Sequence, residues 1–344
     1  MNITILFGAK SFEHEISIVS AIAMKKVLRQ DITYIFCDYE RDFYLIPAKE
    51  ITSKRFSSGE YKKDKKVYPL KGGFYTKSFT GLKKIESDIV LNLIHGQDGE
   101  DGKIAGLLDF FDINYIGPRV EASVISYNKL FTKLFAKEIG VKTLDYQVIY
   151  KSKDYRINIP YPFIVKPLRL GSSIGISVVK EENELEYALD SAFEYDNSVL
   201  IEPFIDGIKE YNLAGYKADK FYFSIIEEPL KENILDFDKK YLDFSRTKKV
   251  NEADISEDLG IKIKNNFEKI YYPVFEGSII RCDFFVHNNN IYLNEINPVP
   301  GSMANYLFDD FDSDIKRLSS HLPKSVATPK GYKYIHQIQS AKGK

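Results

Sequence analysis

The chain of 344 residues is too long for one ordinary hydrophobic core, and 44% hydrophobic with 28% charged residues is typical of a water-soluble globular protein. Its formal net charge of −1 gives no overall field that would attract nucleic acid or an anionic membrane, so neither is an expected partner. No apolar run is long enough to span a bilayer, and the start, MNITILFG, lacks the basic and apolar regions of a signal peptide. The only two cysteines, Cys37 and Cys282, lie in apolar segments and are expected to be buried thiols, which favours a cytoplasmic location.

The first part of the chain alternates strands with helices. Apolar runs predict strands at residues 2–7, 33–37, 88–94 and 113–116. Residues 15–29 have apolar side chains at helical spacing. This order of elements predicts an α/β lobe with a parallel sheet, which we assign to residues 1–118.

Two more lobes are expected, at residues 119–205 and 206–325, followed by a polar tail at 326–344. The second lobe is predicted to have helices at 122–139 and 181–195 and strands at 161–165, 175–179 and 199–201. The third is predicted to have a polar, mobile loop at 228–258, a helix at 257–270 and a hairpin at 280–297.

The hairpin carries an unusual polar pattern. Two apolar runs flank three consecutive asparagines, 288–290, which we predict to form the turn. This turn pairs Arg281 with Asn297 and Asp283 with Glu295, and the strand period of two places all four side chains on one face. Such a polar face in apolar strands requires partners, and Mg²⁺ with a phosphate would supply them.

The segment 169–175, Arg-Leu-Gly-Ser-Ser-Ile-Gly, is a candidate phosphate cradle between two strands. Glycine lets backbone N–H groups approach an anion, and Ser172 and Ser173 add hydroxyl donors. An ordinary β-hairpin turn explains the glycines and serines equally well, but Lys166 favours the cradle because a lysine that ends an apolar run is rarely buried without an anion. Lys129, within the predicted helix, is by itself more typical of a solvent-exposed lysine.

Two loops of the first lobe follow buried strands, where ligands bind in open α/β sheets. The loop from His95 to Gly102 contains three glycines and three acids, and the loop from Gly8 to Glu15 contains Glu13. The acids can instead serve as first-turn residues of the following helices. A histidine such as His95 is by itself more often structural than catalytic.

Six segments, in chain order, carry a resemblance to a known family. They are FGAKSFEHEISIVSA, HGQDGEDGKIAGLLD, VKPLRLGSSIGIS, IEPFIDGIKE, DFDKKY, and RCDFF with NEINPVPG. In these segments, from Phe7 to about Phe308, the chain resembles the D-alanine–D-alanine ligase family of the ATP-grasp superfamily.

The resemblance implies a three-lobed α/β ATP-grasp fold, with an N-terminal parallel-sheet (pre-ATP-grasp) domain and ATP held between the second and third lobes. It also implies the reaction. ATP phosphorylates the carboxylate of one D-alanine, and the amine of a second D-alanine attacks the acyl phosphate. ADP, phosphate and D-alanyl-D-alanine are released, and the dipeptide is used in peptidoglycan synthesis. The small-molecule partners are then D-alanine and ATP, and a homodimer is expected.

The resemblance further assigns roles to residues at matching positions. Those for ATP are Lys129, Lys166, Ser172, Ser173, Glu202, Pro203, Ile205, Glu210 and Lys240. Those for two Mg²⁺ ions, for which Mn²⁺ can substitute, are Asp283, Glu295 and Asn297. Those for the reaction are Glu13, Ser172, Tyr241, Arg281 and the backbone N–H of Gly301, and those for the substrates are Glu13, His95, Tyr306 and Leu307.

These roles agree with the electrostatics of the reaction. Lysines, an arginine and metal ions stabilise concentrated negative charge, and a closing loop keeps water from an acyl phosphate. In this assignment Glu13 holds the ammonium group of the first D-alanine, while Arg281 and Gly301 stabilise the oxyanion.

Three departures from the family pattern are visible. Ala9 follows Gly8 where the family usually has two glycines, and Leu170 replaces a common glutamate. Tyr306 stands where a serine usually contacts the carboxylate of the second substrate, so a phenol would have to donate that hydrogen bond. Tyr241, rather than phenylalanine, accompanies D-alanine rather than D-lactate in the family, and a dipeptide product is therefore expected.

Two alternative functions stay open on the sequence. Another ATP-grasp ligase, with different carboxylate and amine substrates, would share the second and third lobes, but Glu13 and His95 argue against it. A non-catalytic nucleotide-binding protein would not need Arg281.

Overall fold

The computed structural model describes residues 1–229, 249–324, 331–332 and 334–341, which form three β-sheets with surrounding helices. Residues 230–248 of the predicted mobile loop, including Lys240 and Tyr241, lie outside the described residues, as do parts of the tail. None of the helices in these ranges is both long and apolar enough to cross a membrane.

The first lobe contains an eight-stranded sheet. Its strands are β1 (Asn2–Gly8), β2 (Asp31–Cys37), β3 (Phe43–Ile46), β4 (Lys65–Leu70), β5 (Gly73–Ser78), β6 (Gly81–Lys84), β7 (Ile89–Asn92) and β8 (Tyr115–Ile116). Its helices are α1 (His14–Val27), α2 (Ser53–Ser57) and α3 (Lys103–Phe110).

The sheet has the strand order β6-β5-β4-β3-β2-β1-β7-β8. β1 is parallel to β2 and β7, and β7 is parallel to β8, which confirms the predicted parallel sheet. From β2 outward the sheet continues as an antiparallel meander through β6, which the sequence analysis did not predict. The parallel half brings the carboxyl ends of β1 and β7 side by side.

The second part of the chain contains a four-stranded antiparallel sheet in the order β11-β10-β12-β9. Its strands are β9 (Gln147–Tyr150), β10 (Phe163–Pro167), β11 (Ser177–Val179) and β12 (Ser198–Pro203). Its helices are α4 (Val120–Tyr127), α5 (Lys129–Glu138) and α6 (Leu185–Phe193). The predicted single helix at 122–139 is wrong, because Asn128 has extended backbone and caps a second helix with its side chain.

The third part contains a second antiparallel sheet, in the order β14-β13-β15-β16. Its strands are β13 (Lys209–Lys217), β14 (Phe221–Glu227), β15 (Ile280–His287) and β16 (Asn290–Asn297). The helices described here are α7 (Glu257–Val274), α8 (Phe311–Ser319) and α9 (Ile335–Ala341).

The hairpin β15–β16 has the predicted register at its polar face. Arg281 pairs with Asn297, and Asp283 pairs with Glu295. A bulge follows, since the next pair joins Phe284 to Leu293, and Asn294 is the extra residue.

The turn of this hairpin is shorter than predicted. It consists of Asn288 and Asn289, whose φ angles are 48° and 60°, and Asn290 already belongs to β16. A two-residue turn with positive φ at both positions suits asparagine. The prediction of a three-residue turn is wrong, and the bulge compensates for the difference.

The largest hydrophobic core is shared between the first and third sheets. It joins residues such as Phe7 and Tyr34 to Phe267 and Phe284. The middle sheet and α6 enclose a separate core that includes Phe163. Cys37 and Cys282 are both buried and free, as predicted.

Candidate active site

The polar face of the hairpin is organised around Asp283. Arg281 donates two hydrogen bonds to this carboxylate, from Nε to Oδ1 at 2.7 Å and from Nη2 to Oδ2 at 2.8 Å. Asn297 Nδ2 donates to Oδ2 at 3.0 Å. The Asp283 side chain is 2% exposed, so these contacts fix its orientation.

Two carboxylates face each other on this surface. Burial raises the pKa of Asp283 to about 7. The neighbouring charge of Glu295 also raises this pKa, whereas the Arg281 guanidinium lowers it. Burial also opposes ionisation of Glu295, but Lys129 and Arg281 outweigh it and lower the pKa of Glu295. The neighbouring Asp283 side chain contributes to the lowered pKa of Glu295 as well.

This donor set fits a hard divalent cation. Two carboxylates and an amide provide oxygen ligands of the kind that Mg²⁺ prefers. Within the described residues no group of three or more His, Cys, Asp and Glu side chains could hold a metal. A cation here would therefore depend on Asn297 and on further oxygen atoms such as those of a phosphate.

Glu202 lies between two buried lysines. Its Oε2 accepts from Lys166 Nζ at 2.8 Å, and its Oε1 lies 2.5 Å from Lys133 Nζ. Burial alone would raise the pKa of Glu202, but Lys166 and Lys133 lower it to about 2. The carboxylate thus holds both ammonium groups, and Lys166 faces Asn294 Oδ1 at 3.4 Å.

Lys129 is turned inward rather than toward solvent. It is the first residue of α5, and Asn128 Oδ1 accepts from the backbone N–H groups of Leu130 and Phe131 at 3.0 and 3.4 Å. Lys129 Nζ donates to the carbonyl of Leu170 at 2.5 Å, and burial lowers the pKa of Lys129. Its charge therefore lies beside the glycine- and serine-rich segment that was a candidate phosphate cradle.

That segment is a tight turn between β10 and β11. Ser172 and Ser173 have φ angles of 55° and 58°, a left-handed conformation that residues other than glycine rarely adopt. Ser172 Oγ donates to Glu13 Oε1 at 2.5 Å, which joins this turn to the first lobe. A Cβ at Gly171 would lie 3.0 Å from Glu13 Oε1, so the turn approaches Glu13 closely.

Glu13 is a buried carboxylate with a spare oxygen. Burial and the nearby Glu100 raise the pKa of Glu13 to about 7. Ser172, His95 and Lys129 lower this pKa, but by less. Its Oε2 has no hydrogen-bond partner among the described residues. A buried carboxylate oxygen without a partner is costly, and a cationic ligand would satisfy it.

The two loops of the first lobe that follow β1 and β7 are in contact with each other. Lys10 N donates to Asp98 Oδ2 at 3.2 Å. A Cβ at Gly96, whose φ is 68°, would lie 2.3 Å from Glu13 Oε2, so glycine is required there. His95 is buried, and burial lowers its pKa to about 4, which keeps the imidazole neutral.

The segment Gly301–Leu307 follows the hairpin and is buried from Ser302 onward. Ser302, Met303 and Ala304 have φ angles of 47°, 54° and 51°, so three consecutive residues are left-handed. Such residues cost roughly 1–2 kcal/mol each unless the surroundings hold them. Tyr306 OH accepts from Arg281 Nη1 at 3.3 Å, which places the phenol next to the polar face.

The remaining nucleotide-site candidates lie along the facing sheets. Glu210 lies on β13 opposite Phe285, and its charge acts on Asp283 and Lys166. Pro203 ends β12 and Ile205 follows it. Lys240 and Tyr241 lie outside the described residues.

Two family models match this chain. One, described as the D-ala D-ala ligase N-terminus, matches residues 2–118, and the other, the D-ala D-ala ligase C-terminus, matches residues 135–311. The chain belongs to the D-alanine–D-alanine ligase family. Its fold is the ATP-grasp fold of these ligases, and membership implies use of ATP and a divalent metal.

Relatives of known name extend over the full length. The D-alanine–D-alanine ligases of Sulfurovum sp. (strain NBC37-1) and Wolinella succinogenes are 60% and 58% identical to it, over all of this chain and all of theirs. The crystal structure of D-alanine–D-alanine ligase from Helicobacter pylori superposes with a TM-score of 0.85 at 52% identity, covering 95% of this chain and 100% of that one.

Sequence reasoning missed four polar residues of this candidate site. They are Ser20, Glu100, Lys133 and Asn294. Lys133 could have been found, since it follows Lys129 by four residues and so lies on the same helical face. Glu100 was counted among the acids of the loop from His95 to Gly102 but given no role of its own, although burial raises its pKa to about 8. Asn294 faces Lys166 because of the bulge, which strand periodicity does not reveal.

Proposed function

We propose that this protein joins two D-alanine molecules through a D-alanyl phosphate intermediate, at the expense of ATP, for peptidoglycan synthesis. We place this reaction in the cytoplasm and expect the protein to be a homodimer. Membership of the D-alanine–D-alanine ligase family, with curated relatives at 54–60% identity, supports the activity.

One observation in the structure carries the proposal. Glu13 Oε1 is bonded to Ser172 of the phosphate-cradle turn, while its buried Oε2 has no partner among the described residues. If the ammonium group of an amino acid binds Oε2, the carboxylate of the same amino acid lies next to that turn and to the inward-facing Lys129. This is the arrangement needed to phosphorylate the carboxylate of an amino acid.

The nucleotide is proposed to bind between the second and third sheets. Lys129 and Lys166 neutralise its phosphates, and Ser172 and Ser173 lie in the turn above them. Because the Glu202 side chain is committed to Lys166 and Lys133, we assign it to holding the lysines. The adenine is then left to the chain segment with Pro203 and Ile205, and the ribose to Glu210.

Asp283, Glu295 and Asn297 are proposed to hold two Mg²⁺ ions, for which Mn²⁺ can substitute. Ions held there would neutralise charge on the transferred phosphoryl group. Arg281 and the backbone N–H of Gly301 stabilise the oxyanion that forms when the second amine attacks. His95, Tyr306 and Leu307 bind the second D-alanine, and Lys240 and Tyr241, which lie outside the described residues, keep the roles that the resemblance implies.

Phosphate release tests the proposal. The purified protein should release phosphate from ATP only when D-alanine and Mg²⁺ are both present, and the product should be a dipeptide. L-alanine should give none. Equal release with L-alanine, or none with D-alanine, would contradict the proposed substrate.

A pair of variants on α1 and the loop before it sharpens this test. Glu13→Gln should lose D-alanine-dependent release but keep the affinity for a non-hydrolysable ATP analogue, because the lysines are untouched. Glu15→Gln is the matched control, since Glu15 is exposed on the first turn of α1 and should keep normal turnover. Normal turnover by Glu13→Gln would remove the ammonium role from Glu13.

A further inference from the structure

Ser20 connects two segments of the proposed second-substrate site. It lies on α1 and has no solvent exposure. Its Oγ is 3.0 Å from His95 Nε2 and accepts a hydrogen bond from the backbone N–H of Ser302 at 3.2 Å. One hydroxyl of the first lobe therefore touches both the loop that bears His95 and the segment that bears Gly301 and Tyr306.

Ser20 Oγ has one proton and two lone pairs, so His95 Nε2 can either accept from it or donate to it. The arrangement in which the hydroxyl donates leaves the other ring nitrogen as the donor for the bond between the ring and the backbone of Val299. A backbone N–H can only donate, so Ser302 occupies a lone pair of Ser20 Oγ and leaves the hydroxyl proton for another acceptor. Among the described residues, His95 Nε2 is the other partner of this oxygen. An imidazole that accepts at Nε2 carries its proton on Nδ1. His95 Nδ1 is 3.9 Å from Glu100 Oε1, and the ring also bonds to the backbone of Val299.

The Ser302 N–H lies at the start of the left-handed turn. It comes directly after Gly301, whose own N–H is the proposed oxyanion donor, and Met303 and Ala304 continue the left-handed conformation. Met303 N donates to Pro300 O at 2.7 Å, and Asn305 Nδ2 donates to Ser302 O at 2.8 Å. These bonds stay within the segment, whereas the bond to Ser20 fixes it relative to the first lobe.

We infer that Ser20 is a positioning residue for the second substrate: its hydroxyl sets the tautomer of His95 and anchors the Gly301–Leu307 segment to α1. The inference rests on the proposed function, because it concerns the site at which the second D-alanine binds. Ser20 itself makes no contact with a reacting atom in this account.

Ser17 provides a matched control. It lies one helical turn earlier on α1, is also fully buried, and makes two hydrogen bonds of its own. Its Oγ accepts from Gly8 N at 2.8 Å and donates to Leu93 O at 2.6 Å, both within the first lobe. Ser17→Ala therefore removes a buried hydroxyl with a similar number of bonds and no connection to His95 or Ser302.

The experiment compares full-length wild type, Ser20→Ala, Ser20→Thr and Ser17→Ala. Initial rates over a range of D-alanine concentrations give separate Michaelis constants for the first and second molecules. Ser20→Ala should raise the constant for the second by about three- to tenfold, as expected for one lost hydrogen bond. The constants for ATP and for the first D-alanine should change less than twofold, and Ser20→Thr, which keeps the hydroxyl, should restore the second constant at least in part.

A spectroscopic measurement separates this inference from the proposed function. ¹⁵N spectra of the His95 ring, assigned by comparison with His95→Gln, should show Nδ1 protonated and Nε2 unprotonated in the wild type and in Ser17→Ala. Ser20→Ala should lose this single tautomer. Failure of the proposed activity would leave this measurement informative, because it needs no turnover.

Three results would overturn the inference. One is an unchanged His95 spectrum with an unchanged second-site constant in Ser20→Ala. Another is protonation of Nε2 in the wild type. The third is a loss in Ser17→Ala that is equal to the loss in Ser20→Ala, since it would show that stability alone is affected.

Discussion

The Glu13 carboxylate lies buried between two loops, and folding makes it harder to ionise. Its pKa rises from 4.5 to about 7 through burial and the neighbouring Glu100. The folded state therefore binds a proton more tightly than the unfolded state, and stability falls as the pH rises from about 4.5 to 7. Above pH 7 the charged group costs about 3 kcal/mol, which a bound ammonium group would offset.

Glu13→Gln should consequently be more stable than the wild type at pH 8. The melting temperature should rise at pH 8, where the wild-type carboxylate is charged, and should be unchanged near pH 4, where Glu13 is protonated in both folded and unfolded protein. Differential scanning calorimetry at the two pH values measures this. His95, Lys129 and Glu100 also face Glu13, but they are present in both proteins and so do not produce the difference.

Glu15→Gln serves as the control for this stability measurement as well. The Glu15 side chain is exposed on α1, so the melting temperature of Glu15→Gln should equal that of the wild type at both pH values. A Glu13→Gln variant that is less stable than the wild type at pH 8 would show that the carboxylate is not destabilising in the empty site.

At the scale of elements, the break between α4 and α5 decides where Lys129 lies. Asn128 caps α5 through Oδ1, and Lys129 N donates to Leu168 O at 3.1 Å. Lys129 Nζ also donates to Leu170 O. The backbone and the side-chain end of Lys129 are therefore both bonded to the segment before the phosphate-cradle turn. A continuous helix would not place the lysine there.

Asn128→Ala should lower stability by about 1 kcal/mol and raise the Michaelis constant for ATP. The cap is lost, the first turn of α5 frays, and Lys129 no longer lies at a fixed distance from the turn. Asn128→Ser keeps a capping oxygen and should retain most of both properties. Thermal unfolding and initial-rate kinetics give the two quantities.

Ser256→Ala is a suitable comparison for the loss of a cap. Ser256 Oγ caps α7 by accepting from Leu259 N at 3.3 Å, and α7 carries none of the proposed site residues. This variant should lose a similar amount of stability with no change in the constant for ATP. The same rise in both variants would assign the effect to general stability rather than to Lys129.

These elements also show how far the sequence could be interpreted. The order of strands and helices predicted the parallel half of the first sheet, and strand periodicity about the asparagine turn predicted the opposition of Asp283 to Glu295. The helix break was missed because the apolar spacing of 122–139 continues across Asn128, although asparagine is a common cap. The bulge and the left-handed turn were missed because strand periodicity reveals neither of them, although both place residues in contact with other parts of the chain, Asn294 with Lys166 and Ser302 with Ser20.

For the whole molecule, the division of the hydrophobic core indicates which parts open together. The first and third sheets share one core, and the middle sheet with α6 has its own. The contacts that join the middle sheet to the rest include Ser172 with Glu13, Glu202 with Lys133, Lys166 with Asn294, and the edge-to-face rings of Phe12 and Tyr195 at 5.3 Å. Most of these are polar, and they lie at or beside the proposed nucleotide site.

A separate core with few apolar connections is expected to open as its own cooperative unit. Hydrogen exchange of the free protein should therefore show faster exchange in β10 and β12 than in β1 and β13. The amides of β1 and β13 should share one opening free energy and one denaturant dependence, because they share a core. A non-hydrolysable ATP analogue with Mg²⁺ should slow exchange mainly in β10 and β12, since it would connect Lys166 to the third sheet.

Phe12→Ala tests the connection between the units in the same experiment. Loss of the Phe12–Tyr195 ring contact should favour opening of the middle sheet by about 0.5–1.5 kcal/mol and leave β1 and β13 unchanged. Phe79→Ala is the control, because Phe79 is fully exposed in the first lobe and should alter neither unit. Opening of β1 together with β10, or different denaturant dependence of β1 and β13, would show that the first and third sheets do not form one unit. Nucleotide binding would then have to order all three lobes rather than position the middle one.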